Sequence, residues 1–126
     1  MNLLFLAINT LSILTALDGA CTYSMDSTGR CILPAGLTAV PKDAMADCTQ
    51  VTWVSIPSTV TTIGPNAFAG CSNLQSVGIG TGLQEIGDGA FFGCVQLQTL
   101  GLPSTLKKIG GGAFFKNFAL TEVSFP

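Results

Sequence analysis

Aliphatic residues recur through most of this chain with a period of 23 residues. The common pattern has aliphatic residues at positions 1, 5, 8, 19 and 22, with Pro at 2, Gly at 9, Ala at 12, Phe at 13 and Cys at 16. Over four periods only Pro41, Met45, Gly80 and Asn117 depart from it. Without insertion or deletion, the periods are residues 33–55, 56–78, 79–101 and 102–124, and 125–126 opens a fifth. A repeat of this length predicts a solenoid, because each unit buries its apolar face only by stacking on its neighbours.

Short alternating segments within each repeat predict strands. Val54-Ser55-Ile56 is one of them, and its two aliphatic side chains are expected to point inward. Stacked copies would form a parallel sheet, and Pro57 and Pro103 would end the ladder because proline has no N–H.

The Gly-x-x-Ala-Phe segment of each repeat predicts a corner. We expect Gly64, Gly87 and Gly110 to need a positive φ, and Pro41 at the same position to make the first unit turn differently. The segments beginning at Asn66 and its equivalents predict about one tight helical turn. The phenylalanines at position 13 should then stack as an internal spine, with Met45 at its start; they are Phe68, Phe91 and Phe114.

One column of cysteines falls at a single phase of the repeat: Cys48, Cys71 and Cys94, continued by Asn117. A zinc site needs four converging ligands, and a catalytic thiolate needs a basic neighbour, so a straight column supplies neither. Cys and Asn are both able to bond turn backbone groups, and a metal or redox site would not tolerate that exchange. The column is therefore interpreted as a structural ladder.

The amino-terminal region differs from the repeats. Residues 1–20 are apolar and uncharged until Asp18, which predicts a cleaved signal peptide; an uncleaved anchor and a buried first helix are the alternatives. Residues 21–32 would form an N-terminal cap. Because Cys21 and Cys31 flank a turn signal and would enter an oxidising compartment, we expect them to form a disulfide that closes a small hairpin, against the alternative of two free thiols.

Composition argues against several functions. Charged residues make up 10% of the chain, the net charge is −2 and there is no histidine, while 48% of residues are hydrophobic. Few cations argue against nucleic acid, and without histidine or a paired base no catalytic constellation is apparent. The chain is predicted to be no enzyme, with no cofactor and no metal.

The repeat resembles the BspA-like leucine-rich repeats of bacterial and protist surface proteins over residues 33–126. Leu97-x-x-Leu100-x-Leu102 also matches the general leucine-rich-repeat stem. This resemblance implies an α/β repeat solenoid, a horseshoe or arc with short parallel strands on its concave face and tight or short helical turns on its convex side. It further implies a secreted or cell-surface module for protein binding or adhesion, whose ligand is a protein or a surface glycan. A membrane would be met only through an uncleaved leader or a missing carboxyl-terminal region.

The outward strand positions are the candidate partner-binding residues. Trp53 is the only tryptophan, so it is the best single candidate for a contact, with a role in covering the join between cap and repeat as the alternative. The chain is interpreted as a fragment of a longer array, and a structural spacer or scaffold within such an array is the alternative function. The candidate residues are Trp53, Ser55, Gln75, Ser76, Gln98, Thr99, Thr121 and Glu122.

Overall fold

The repeats wind into a β-solenoid, one coil per repeat. A computed structural model describes residues 21–126, and the signal peptide predicted for residues 1–20 lies outside them. In chain order the strands are β1 (Arg30–Ile32), β2 (Ala39–Val40), β3 (Trp53–Ile56), β4 (Thr62–Ile63), β5 (Ser76–Ile79), β6 (Glu85–Ile86), β7 (Thr99–Gly101), β8 (Lys108–Ile109) and β9 (Glu122–Ser124).

The strands form two parallel sheets on two sides of each coil. The long sheet has the order β1-β3-β5-β7-β9 and contains the strands predicted from the sequence. The short sheet has the order β2-β4-β6-β8, and the sequence analysis did not predict it. Both sheets pair residues that lie one repeat apart, as Val54 pairs with Val77 and Ile63 with Ile86.

Aliphatic and aromatic side chains fill the space between the sheets. Val54 and Ile63 are fully buried from opposite sides of a coil. The predicted aromatic spine is present, because the rings of Phe68 and Phe91 stack with centroids 5.2 Å apart and those of Phe91 and Phe114 with centroids 5.6 Å apart. Met45 is fully buried in the first repeat.

The corner that holds the spine is built from overlapping turns, so the predicted helical turns and the α/β class are not confirmed. Every regular element within residues 21–126 is a strand. In the second repeat Asn66 has a φ of 55° and Gly70 a φ of 73°, left-handed values that interrupt a right-handed helix. The N–H groups of Asn66, Phe68 and Gly70 instead donate to carbonyls of the next coil at 2.7–2.9 Å.

The glycines at position 9 serve close stacking, and the positive φ predicted for them is wrong. None of Gly64, Gly87 and Gly110 is among the positive-φ residues. A Cβ on Gly64 would lie 2.6 Å from the backbone nitrogen of Lys42, in the coil before it. Pro41 makes the same turn as these glycines, since the Ala44 N–H donates to its carbonyl at 3.2 Å, so the first unit does not turn differently.

The cap is itself a coil in register with the repeats. Cys31 pairs with Val54 in the long sheet, one repeat length apart, and its side chain is fully buried. The predicted turn is present, since the Gly29 N–H donates to the Asp26 carbonyl at 3.0 Å.

The predicted disulfide between Cys21 and Cys31 is wrong, because Cys21 is bonded to Cys48. Cys21 lies one repeat before Ala44, and the Thr22 N–H donates to the Ala44 carbonyl at 3.2 Å. The cap therefore stacks on the corner where the cysteine column begins, with a Cα separation of 5.1 Å between Cys21 and Cys48. Cys31, by contrast, points into the coil from β1. The disulfide joins the cap to the first repeat instead of closing the cap on itself.

Candidate partner-binding face

The outward side of the long sheet, hereafter the sheet face, is formed by alternate residues of its strands. Val54 and Ile56 of β3 are buried, which leaves Trp53 and Ser55 outward and half-buried. On β5 the outward residues are Ser76 and Gly78, and the pattern continues on β7 and β9. On β7 and β9 the outward residues are Thr99, Gly101, Glu122 and Ser124.

The candidate residues just before each strand border the sheet face as a row of polar side chains. The backbone N–H of Gln75 donates to the Thr52 carbonyl at 2.8 Å, that of Gln98 to the Gln75 carbonyl, and that of Thr121 to the Gln98 carbonyl. These bonds hold the row in register, and the side chains of Gln75, Gln98 and Thr121 are exposed. The structure thus brings all eight candidate residues onto one side of the solenoid. Their role in binding stays a prediction, as does the assignment of this side as concave.

Trp53 contacts groups on both neighbouring strands. The guanidinium carbon of Arg30, on β1, lies 4.1 Å from the centroid of its ring. On the other side, a Cβ added to Gly78 would lie 3.9 Å from Trp53 Cζ2. The ring therefore lies over the join between the cap and the first repeat and is half-buried. Its contact with a partner stays a prediction.

Arg30 and Ile32 are face residues that the sequence analysis did not single out. They lie one repeat before Trp53 and Ser55. Their outward positions were missed because residues 21–32 were interpreted as a separate hairpin. The repeat register, extended back through the cap, predicts the outward positions of both residues.

Two of the buried thiols donate hydrogen bonds to turn carbonyls. Cys71 Sγ donates to the Met45 carbonyl at 3.1 Å and Cys94 Sγ to the Phe68 carbonyl at 3.2 Å. Asn117 Nδ2 donates in the same way to the Phe91 carbonyl at 2.7 Å. Cys48 differs from the other members of this column because it is in the disulfide.

Burial makes these thiols chemically quiet. It raises the pKa of Cys31 to about 11 and that of Cys94 to about 12. It also raises the pKa of Cys71 well above its usual range, with a further contribution from Cys94. Because the thiolate is the reactive form, these groups are poor nucleophiles at neutral pH.

Two other kinds of site were sought within residues 21–126. No cluster of three or more His, Cys, Asp or Glu side chains is arranged to hold a metal ion there. Over the same residues, no helix has the length and apolar character needed to cross a bilayer.

A second exposed feature lies on the outer side of the corner. Phe92 and Phe115 have ring centroids 5.8 Å apart, and Phe118 is 79% exposed. The first two repeats have Ala46 and Ala69 where the later ones have Phe92 and Phe115, so this apolar surface belongs to the later repeats only.

Comparisons with solved structures identify similar solenoids. A leucine-rich repeat protein from Bacteroides capillosus is 25% identical with a TM-score of 0.73, over 82% of this chain and 81% of that one. The T. pallidum leucine rich repeat protein is 29% identical with a TM-score of 0.62, over 80% of this chain and 60% of that one. A leucine rich cell surface protein from Faecalibacterium prausnitzii is 27% identical with a TM-score of 0.53, over 82% of this chain and 33% of that one.

No curated protein matches this chain. The description "BspA type Leucine rich repeat region", with six copies, matches residues 17–126, which is most of the chain and includes the cap. This chain belongs to the BspA-type leucine-rich repeat family.

Proposed function

We propose that this protein is a secreted or cell-surface module that binds a partner protein through the sheet face, without catalysis. The observation that carries the proposal is the sheet face itself, five strands wide in unbroken parallel register. Its central side chains are small and polar, so a partner is able to approach the backbone closely. Recognition would depend on shape and on hydrogen bonds made by the bordering polar residues.

Family membership and one relative's description support the location. The Faecalibacterium prausnitzii relative is described as a cell surface protein. The disulfide between Cys21 and Cys48 fits an oxidising compartment, where such bonds form and persist.

The test is a binding screen against an array of purified secreted and cell-surface proteins. Gly101→Arg would place a bulky side chain on the sheet face without a clash, because a Cβ there meets only Ser124 Oγ, at 3.5 Å. Gln84→Arg, at an exposed position beside the short sheet, is the matched control. Binding that Gly101→Arg abolishes and Gln84→Arg retains would support the proposal. Binding that survives Gly101→Arg, or no binding to any protein of the array, would contradict it.

Two milder variants locate the contact within the face. Trp53→Ala and Gln98→Ala each remove one side chain at an edge of the sheet face. We expect Trp53→Ala to weaken binding more, because aromatic side chains dominate interface energetics.

A structural spacer or scaffold is the second candidate function. The observation that favours it is the exposure of inward side chains on the last coil: Ile109 is 45% exposed and Val123 42%, whereas Ile86 and Val77 are buried. Such a surface is suited to stacking of a further coil.

A further inference from the structure

Charge on the sheet face is confined to its two edge strands. β1 carries Arg30 and β9 carries Glu122, both outward. The outward residues of the three strands between them are Trp53, Ser55, Ser76, Gly78, Thr99 and Gly101, none of them charged. Four strand spacings of about 4.8 Å separate the backbone positions of Arg30 and Glu122 by roughly 19 Å. The sheet face therefore has a positive end and a negative end with a neutral centre.

The guanidinium of Arg30 is held in place but has no carboxylate partner within residues 21–126. Stacking 4.1 Å above the Trp53 ring restrains it, and within residues 21–126 its N–H groups donate to no other group. Asp26 lies in the turn before β1. The pKa of its carboxyl is lowered chiefly by a hydrogen bond from Thr28, and the positive charge of Arg30 makes a smaller contribution. Asp26 Oδ1 accepts from the Thr28 hydroxyl and from the backbone N–H groups of Thr28 and Arg30, so its hydrogen bonds stay within the turn.

An exposed apolar side chain lies beside this cation. Ile32 is 71% exposed and occupies the same side of β1 as Arg30. The same position in the following repeats is Ser55, Gly78, Gly101 and Ser124, so the isoleucine is particular to the cap. A cation restrained by an aromatic ring and flanked by an apolar group suits a carboxylate that has an apolar neighbour.

We propose that the sheet face binds an extended segment of a partner protein that lies across the strands. An acidic residue of the segment contacts Arg30, an apolar residue beside it contacts Ile32, and a basic residue contacts Glu122. At about 3.3 Å per residue, the separation between the backbone positions of Arg30 and Glu122 corresponds to roughly six residues of extended chain. This inference rests on the proposed function and adds the chemistry and the spacing of the ligand.

The test is selection from a phage library of random 12-residue peptides on the purified protein. Enriched peptides are expected to hold an acidic residue next to an apolar one, with a basic residue about six positions away. Individual peptides should bind Arg30→Gln at least about tenfold more weakly than the original protein. Lys116→Gln, which removes the same charge outside the sheet face, should change binding less than about twofold. Arg30→Lys keeps the positive charge but removes the planar guanidinium group, so it should give an intermediate loss of peptide affinity.

Charge reversal provides an independent arm. Glu122→Arg makes both ends of the sheet face positive and should select peptides with two acidic residues about six positions apart. Glu85→Arg, the same change on the short sheet, should leave the selected pattern unaltered.

The outcomes separate this inference from the proposed function. Peptides that bind the sheet face, as judged by loss on Gly101→Arg, but show no acidic preference would overturn the inference and leave the proposed function intact. Peptides insensitive to Gly101→Arg, or no enrichment at all, would also overturn the inference, whereas the proposed function fails only if no protein of the array binds in a way that Gly101→Arg abolishes.

Discussion

Phe91 shows how one residue supports its neighbours in a stacked fold. Its ring lies between those of Phe68 and Phe114, nearly parallel to both, with interplanar angles of 5° and 7°. Phe92, the next residue, points outward and is 37% exposed. The same residue type therefore has opposite roles at adjacent positions, and only the phase of the repeat separates them.

We expect Phe91→Ala to destabilise the protein by about 3–5 kcal/mol, because it leaves a cavity in the spine. Phe92→Ala should cost about 1–2 kcal/mol, since its ring is 37% exposed and its removal leaves no closed cavity. Urea unfolding followed by circular dichroism gives both values. Similar losses for the two variants would contradict the assigned spine.

The buried thiols are expected to make the free energy of unfolding decrease at alkaline pH. The pKa of Cys94 rises from 9.0 to about 12 through burial, so the folded state holds its proton more tightly than the unfolded state. The stabilisation of the folded state by the protonated thiol is fully present below pH 9. It is lost as pH rises toward 12, at up to about 1.4 kcal/mol per pH unit for one thiol.

The measurement is the urea midpoint at several pH values between 8 and about 10.5. All variants carry Cys21→Ala and Cys48→Ala, which prevents disulfide exchange. When Cys94→Ala is added, the urea midpoint should fall less steeply as pH rises. Equal slopes with and without Cys94 would show that this thiol titrates normally in the folded protein.

The corner of each coil depends on close contact between backbones. A Cβ on Gly87 would lie 2.6 Å from the Pro65 nitrogen and 2.8 Å from the Gly64 carbonyl carbon, both backbone atoms of the preceding coil. Gly101, on the sheet face, has no such neighbour.

Gly87→Ala should therefore separate two coils and destabilise the protein by about 1–3 kcal/mol. Gly101→Ala is the matched control and should be neutral or stabilise the protein by up to about 1 kcal/mol, because it restricts the unfolded chain. Thermal unfolding would compare the two. A neutral Gly87→Ala would show that the coils have room to part at this corner.

The disulfide holds the cap on the first repeat. It joins residues 27 positions apart, and breaking it with Cys21→Ala should cost about 2–4 kcal/mol. Peptide mapping under non-reducing conditions should recover a fragment that links Cys21 to Cys48. A fragment linking Cys21 to Cys31, or a Cys21→Ala variant of unchanged stability, would contradict this arrangement.

The stability of the whole solenoid depends on the stacking of its coils. The last coil leaves Ile109, Val123 and Phe125 exposed, whereas Ile63, Val54 and Leu102 at the corresponding positions are buried. Stability in such arrays rises with each interface that is added.

Adding a copy of residues 104–126 after Pro126 should complete a further coil and cover these side chains. We expect a gain of a few kcal/mol from the added interface, at roughly 25 cal/mol per Å² of apolar surface. The control is a Gly/Ser extension of equal length, which buries nothing. Calorimetry should show a higher Tm for the repeat extension only, and equal values would indicate that these residues are not a stacking surface.

The repeat, its register and the inward residues of the long sheet were predictable from the order of the amino acids. Those features depend on periodicity, and a side chain at a fixed phase of a 23-residue period meets the same neighbours in every coil. The aromatic spine and the outward candidate residues follow from that rule, as the positions of Phe68 and Ser76 show.

Features that depend on contact between coils became apparent only in the folded structure. The short sheet, the turns that replace a helix, the packing role of Gly64 and the partner of Cys21 all involve atoms of neighbouring coils, about one repeat apart in sequence but adjacent in space. Local residue preferences predicted a helix and a hairpin at two of these places. They failed because hydrogen bonds and packing with the next coil outweigh local preference in a structure where each unit is completed by its neighbour.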